Sequence, residues 1–244
     1  MTHAPLQDAI DRLASAASID AITEICRHEC DRLGFDSFIY ALRIPTAFSD
    51  SRLALLNGYP EGWVDHYMGG ALYEHDPVIA YCGRHVAPIR WQQLTESAAP
   101  ASRRVMDEAS EFGLRAGVSM PLHSPYGELG ILSFAHDAPR ARALETATQA
   151  LPDVQCLAGY LHEAVRRVFV LDDPSRPQLT ARERECLRWT ADGKTSWEIG
   201  QLLNMSERTV NFHIANAMTK LDVSNRQHAV ARAVMSGAIN PHPF

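Results

Sequence analysis

The stretch ERTVNFHIANAMTKLD (207–222) carries the side chains best suited to recognition chemistry. Val210, Ile214, Ala217, Met218 and Leu221 recur at i, i+4, i+7, i+8 and i+11, the apolar stripe of one helix. The opposite face presents Arg208, Phe212, Ala215, Asn216 and Thr219, with Thr209, Asn211 and Lys220 at its flanks. Arg and Asn can form paired hydrogen bonds with base edges, while Lys and Thr can reach phosphates. A helix N-terminus also attracts a phosphate. Phe212 either packs or touches a thymine methyl, packing being preferred. Spacing alone also fits a solvated helix side.

Covalent and metal chemistry find less support. Cys26, His28 and Cys30 lie within one helical turn, but no second Cys/His pair at ligand spacing follows. Gly117-Val-Ser119-Met-Pro is not a Gly-x-Ser-x-Gly nucleophile elbow. Five cysteines, an odd number without paired spacing, do not make a disulfide framework. His66, His75 and His85 have no partner pattern and read as surface or satisfied core residues.

These groups must be positioned by elements, and the elements fall in two parts. Residues 1–174 carry 14 Arg, no Lys and 23 Asp/Glu, a balance of −9. Residues 175–244 carry 9 Lys/Arg and 6 Asp/Glu, a balance of +3, the sign expected near phosphates. The polar, proline-containing run LDDPSRPQ (171–178) separates them as a linker. No apolar run approaches the roughly 18 residues of a membrane span. The N-terminus lacks a basic region and an apolar core, so a cytoplasmic protein is expected.

In the first part (1–170), apolar spacing predicts helices over 5–16 and 19–33. Strands are expected at 35–44, 51–59 and 86–91, and a hairpin over 116–137 around Ser-Pro-Tyr-Gly. Helices are expected at 61–70, 77–84 and 101–113, with a long one over 139–168, bent at Pro152. Strands flanked by helices give an α/β/α sandwich with an antiparallel sheet. In the second part (179–244), Thr180 and Glu183 form a capping box before a helix over 181–191. A short helix over 196–203 and a tight turn at Asn204-Met205 come next. Ser206 caps the third helix, and a fourth covers 226–236. The fold class is therefore α+β, the sandwich joined to an all-α four-helix unit.

The run L-T-x-R-E-R-E-x-L-x-W-x-A-x-G-K-T-x-x-E-I-G, then S-E-R-T-V-N-F-H, then N-x-x-x-K-L, resembles the LuxR/GerE-type helix-turn-helix almost position by position. The resemblance implies a third helix entering the major groove, usually as a homodimer on a palindrome in double-stranded DNA. It carries over Arg208, Thr209, Asn211, Asn216 and Lys220 as DNA contacts, with Lys194 and Thr195 on the backbone. A phosphoacceptor receiver ahead of such a reader needs a lysine, and residues 1–174 have none.

Tyr59-Pro-Glu-Gly-Trp63-Val-Asp-His-Tyr67, Asp76-Pro77, Trp91, Gly113 to Gly117 and Gly127 to Ser133 resemble the N-terminal domain of the quorum-sensing LuxR family. That resemblance implies binding of an N-acyl-homoserine lactone, with no cofactor and no metal, in a transcriptional regulator that is not an enzyme. The residue types suit such a ligand. Trp63 offers an N–H for the lactone carbonyl, and Asp76 an acceptor for the amide N–H. Tyr59 and Ser133 offer hydroxyls for the amide carbonyl, and Trp91 a flat face for the ring. The acyl tail would lie among Ile39, Ala41 and Leu55, with Tyr67 and Val78 nearby. Taken without the family, Tyr59 and Trp63 fit core aromatics, and Asp76-Pro77 fits a helix N-cap. Two positions depart from frequent family choices: Val64 stands where some members have Arg, and Val78 where Thr is frequent. Both remove polar groups and predict weaker preference for a 3-oxo chain. The alternatives are a regulator acting without a lactone, and a lactone or ester hydrolase.

Overall fold

The structure is a computed structural model that describes residues 4–47, 50–95, 98–124, 127–138, 140–171 and 178–240. It divides into two compact units. One comprises residues 1–43, 53–123 and 129–173, and the other residues 44–52, 124–128 and 174–244.

The first unit is built on a five-stranded sheet of order β2-β1-β5-β4-β3. The strands are β1 (Ser37–Ala47), β2 (Asp50–Gly58), β3 (Ile89–Arg90), β4 (Ala116–His123) and β5 (Leu129–His136), of which the end of β1 from Ile44 and the start of β2 to Arg52 are counted with the second unit. The β1/β5, β5/β4 and β4/β3 pairs are antiparallel. Its helices are α1 (Ala4–Ser15), α2 (Ile19–Arg32), α3 (Trp63–Gly69), α4 (Pro77–Cys82), α5 (Trp91–Thr95), α6 (Pro100–Glu111) and α7 (Arg140–Arg166).

Alternation along the strands sorts the side chains onto two faces. Phe38, Tyr40 and Leu42 are fully buried, and Phe38 and Tyr40 lie opposite Phe134 and Leu132. This face packs on α7, whose His162 Nδ1 lies 2.7 Å from the Tyr40 hydroxyl. Ile39 and Ala41 are half-buried on the other face, in register with Ser133 and Ile131. Ser133 pairs in turn with Ser119, and Ser119 with Ile89. The layers are α/β/α, as the order of strands flanked by helices predicts.

Several boundaries differ in instructive ways. The strand expected over 86–91 shortens to Ile89–Arg90, because Trp91 opens α5, a helix too short to show a period. The 3₁₀ turn Leu72–Glu74 also gave no periodic signal. Helix α7 runs unbroken through Pro152 and ends in a π-helical turn, Arg167–Leu171. The predicted linker residues 172–177, and residues 125–126 of the predicted hairpin turn, lie outside the described residues.

The second unit contains α8 (Ala181–Ala191), α9 (Ser196–Leu203), α10 (Glu207–Lys220) and α11 (Arg226–Met235). Each starts on a side-chain cap: Thr180, Thr195, Ser206 and Asn225. Thr180/Glu183 and Thr195/Glu198 are complete capping boxes. Asn204 turns the chain between α9 and α10 in the left-handed region, at φ 53°. Gly200 lets that turn close: a Cβ there would sit 2.7 Å from the Met205 carbonyl oxygen. Cys186, Ile199, Val210 and Ile214 form one small core, and Leu187, Ala217, Leu221, Ala229 and Ala233 belong to a second.

Candidate functional site

On the half-buried face of the sheet, Trp63, Val78 and Trp91 join one apolar cluster with Leu72, Cys82, Val105, Ala109, Leu114 and Ala135. Tyr59, Val64, Tyr67, Phe112 and Ile131 pack against it. Residues drawn from a loop, four helices and the sheet thus meet at one place. Trp63 lies 5.5 Å from the Tyr67 ring and 5.3 Å from the Phe112 ring, centroid to centroid. Trp91 packs closely on β4 because Gly117 has no side chain; a Cβ there would approach the indole to 2.7 Å.

Two polar devices are set into this apolar wall. The first is Asp76, which caps α4 and precedes Pro77. Its Oδ1 accepts from the Val78 N–H at 2.7 Å and its Oδ2 from the Tyr67 hydroxyl at 2.6 Å. Burial pushes the Asp76 carboxyl above the ordinary carboxylate range, against the pull of those donors and the Ile79 N–H. The aspartate is therefore both a helix cap and an acceptor held inside the cluster. Tyr67 takes a more polar part than the tail-lining one expected of it.

The second device is a chain of hydroxyls. Trp91 Nε1–H donates to Ser119 Oγ at 2.8 Å, and Ser119 Oγ lies 2.7 Å from Ser133 Oγ. Tyr59 packs against the same cluster, and burial lifts its phenol far above the usual range, so it stays protonated. Ser119 escaped the sequence reading, since its pairing with Ser133 requires the β4/β5 register. Phe112 and the His66–Glu108 contact of 2.8 Å escaped it for the same reason, being long-range.

Ile39 and Ala41 share a face with Ser133, and Leu55 is half-buried on β2. Cys26 and Cys30 are buried in α2, and burial raises the Cys30 thiol to about 12. That keeps it a protonated apolar residue.

The second unit places Arg208 and Asn211 exposed on α10, with Thr209 and Asn216 half-buried beside them. Some of these residues also hold the unit together. Asn211 Oδ1 accepts from Ser196 Oγ at 2.6 Å, and Thr209 Oγ1 lies 2.7 Å from Ser206 Oγ at the cap. Thr195 caps α9, and Lys194 Nζ stands 4.0 Å from Glu198. Lys220 Nζ donates to Glu183 Oε2 at 2.9 Å. Burial works against ionising Glu183, yet Lys220 and the Thr180 N–H hold it below its usual range. Phe212 does not pack as preferred: it is 60% exposed.

Arg226 was missed altogether. From the first turn of α11 its guanidinium donates to Ser196 Oγ, Thr190 Oγ1 and the Lys194 carbonyl at 3.0, 3.0 and 2.7 Å. It therefore ties α8, the following loop and α9 together.

Residues 18–165 match the family described as "Autoinducer binding domain", and residues 177–233 that described as "Bacterial regulatory proteins, luxR family". The chain is 35% identical to the transcriptional activator AhyR of Aeromonas hydrophila, over 99% of this chain and 95% of that one. It is 30% identical to the transcriptional activator LuxR of Aliivibrio fischeri, over 95% and 93%. The structure of SdiA in complex with octanoyl-rac-glycerol superposes with a TM-score of 0.79 at 27% identity, covering 97% of this chain and 96% of that one. The chain belongs to the LuxR family.

It is a quorum-sensing transcriptional regulator with an autoinducer-binding domain ahead of a DNA-binding helix-turn-helix. Within the LuxR architecture, the cluster around Trp63 and Asp76 belongs to the autoinducer domain, and α9–α10 are the helix-turn-helix. No helix among the described residues is long and apolar enough to cross a membrane.

Proposed function

We propose that the N-terminal domain binds an N-acyl-homoserine lactone between Asp76 and the Tyr59–Ser133 hydroxyls, with the lactone against Trp63 and Trp91. The observation that carries this reading is the meeting of an acceptor and a hydroxyl pair within one apolar cluster. A secondary amide needs that pair of partners, and an acyl chain needs the apolar wall. Ile39, Ala41, Leu55 and Val78 line the tail in this reading, while Tyr67 holds Asp76 beside it. Val64 and Val78 pack against or within the cluster as apolar side chains, which fits a chain without a 3-oxo group. The bound lactone stabilises a homodimer, which sets two α10 helices in successive major grooves of a palindrome, about 34–36 Å apart. Lys194, Thr195, Arg208, Thr209, Asn211, Asn216 and Lys220 are the proposed DNA contacts.

The ligand is bound and not hydrolysed. Ser119, the hydroxyl in the cluster wall, is engaged by an indole and a second hydroxyl, neither of which is a base. Mass analysis of the lactone after incubation should return the ring closed.

The deciding experiment is a melting series of the full chain with homoserine lactones of stepped acyl length. A ligand at about 100 times its Kd adds about 2.7 kcal/mol. A maximum at one length supports the lactone reading. A second reading is favoured by SdiA, whose complex with octanoyl-rac-glycerol has an acyl chain and no lactone. A shift with monooctanoylglycerol and none with any lactone selects that lactone-independent regulator.

A further inference from the structure

Phe212 is a residue of the reader whose place the packing of its own unit does not explain. It is 60% exposed, and its ring contact among the described residues is edge-on to His213, its chain neighbour, at 5.7 Å between centroids. A phenylalanine so placed forgoes most of the apolar burial that could stabilise the unit. Trp197, Leu202 and Val234 are exposed as well, but they lie on α9 and α11. Among the described residues, Phe212 is the exposed large apolar side chain of α10, and it stands mid-way along the open ridge of that helix. Arg208, Asn211, Phe212, Ala215 and Thr219 are all exposed and recur at i, i+3, i+4, i+7 and i+11. The buried Val210, Ile214 and Ala217 face the other way. The ridge is therefore polar at both ends and apolar at its centre, where Phe212 and the methyl of Ala215 lie one turn apart.

The major groove offers such a centre a single kind of partner. Base edges there carry hydrogen-bond donors and acceptors, and the apolar group among them is the C5-methyl of thymine. An aromatic ring gains by covering that methyl. It loses by covering N7, O6 or an exocyclic amine, which it would strip of water without replacing the hydrogen bond. We propose that Phe212 is a specificity-determining residue of the reader, its ring seated with Ala215 on the methyl of one thymine in each half-site. The proposal rests on the reading of α10 as the groove helix and adds the base that its centre selects. Arg208 and Phe212 are four residues apart, a rise of about 6 Å, or roughly two base-pair steps. The thymine therefore lies within about two base pairs of the guanine that Arg208 suits.

The test uses the full-length protein, with N-octanoyl-homoserine lactone present throughout, on a palindromic duplex obtained by in vitro selection. Each thymine of one half-site is replaced in turn by deoxyuridine, which pairs as thymidine does and lacks only the methyl. The wild type should lose about fourfold in affinity at one thymine, the worth of one buried methyl, and little at the others. Phe212→Ala should bind the thymine and uracil duplexes alike at that position. Phe212→Leu keeps an apolar side chain and should retain part of the preference. Both variants should melt with the wild type, since Phe212 is exposed, so a lost preference does not reflect lost folding. A flat uracil scan overturns the proposal, and so does a uracil penalty that survives in Phe212→Ala. Phe212→Ala that binds more weakly alongside a flat scan also overturns it, and puts the ring on the sugar-phosphate backbone instead. Arg208→Ala separates this from the wider reading of α10. If it weakens binding while the scan is flat, α10 remains the groove helix and only the role of Phe212 falls. If neither Arg208→Ala nor any uracil changes binding, both readings fall together.

Discussion

The two units solve the same problem, holding polar side chains in fixed directions, with different shares of local and long-range bonds: in the reader Arg226 and Lys220 add long-range ties to a set of local caps. In the helix-turn-helix, the caps reach three residues along the chain: Thr180 to Glu183, Thr195 to Glu198, Ser206 to Thr209, Asn225 to His228. In the autoinducer domain, the polar groups meet across the fold. Trp91 bonds Ser119 from 28 positions away, Ser119 and Ser133 lie 14 apart, and Tyr67 reaches Asp76 over nine. Local caps form with their helices and need no ligand. A long-range cluster around a buried carboxyl gains from any ligand that brings another donor. The difference assigns sensitivity to the sensor and rigidity to the reader.

The largest expected effect breaks the sensor and spares the reader. Asp76→Ala removes the acceptor and the cap of α4. At about 100 times the wild-type Kd of the best lactone, the stabilisation of about 2.7 kcal/mol should vanish from the melting curve. DNA affinity measured without lactone should match that of the wild type without lactone. A normal ligand shift in Asp76→Ala would refute the site assignment.

The next effect runs the other way. Arg226 donates to three acceptors from a half-buried place, and hydrogen bonds from charged groups contribute about 1.5–3 kcal/mol each at most. Arg226→Ala should cost the helix-turn-helix about 2 kcal/mol, seen as an earlier unfolding step, while the lactone shift of the sensor persists. Equal melting of variant and wild type would show that the clamp is dispensable. Arg208→Ala separates contact from scaffold: Arg208 is exposed, so stability should hold within about 0.5 kcal/mol. Affinity for a palindromic duplex obtained by in vitro selection should fall about tenfold, roughly 1.4 kcal/mol. A loss of stability with DNA affinity intact would reverse the assignment.

The same contrast explains what the sequence discloses. The reader's helices were legible to within a residue or two, since caps and apolar spacing are local and leave a local trace. Arg226 was not, because nothing near it names its partners on α8 and α9. In the sensor, β1, β2, β4 and β5 were legible from dense or alternating apolar runs. Trp63, Asp76 and Trp91 stood out by type and by family resemblance. Ser119 did not, since a serine in an apolar strand acquires meaning only from the strand it faces. Phe212 shows the converse error: its apolar type suggested packing, but its place on α10 points it outward.

The smallest effect tests whether a proposed DNA contact is also a structural one. Lys220 donates to Glu183, and Glu183 closes the capping box of α8 through the Thr180 N–H at 2.7 Å. Burial disfavours the Glu183 charge, but these donors win and depress its pKa in the folded state. A depressed carboxyl stabilises the fold above its unfolded pKa of about 4.3, and the contribution drains away as pH falls through the folded value. Lys220→Gln should therefore lower the stability of the helix-turn-helix by about 1 kcal/mol at pH 7. Because Lys220 is partly exposed, salt should shrink that difference. Below the folded pKa, variant and wild type should melt together, since Glu183 is protonated in both. A difference that stayed constant from pH 7 into acid would mean that Lys220 acts through packing of its stem, not through its charge on Glu183. A variant as stable as wild type at pH 7, yet weakened on DNA, would leave Lys220 a contact alone and make the reader's face as separable from its scaffold as Arg208 is.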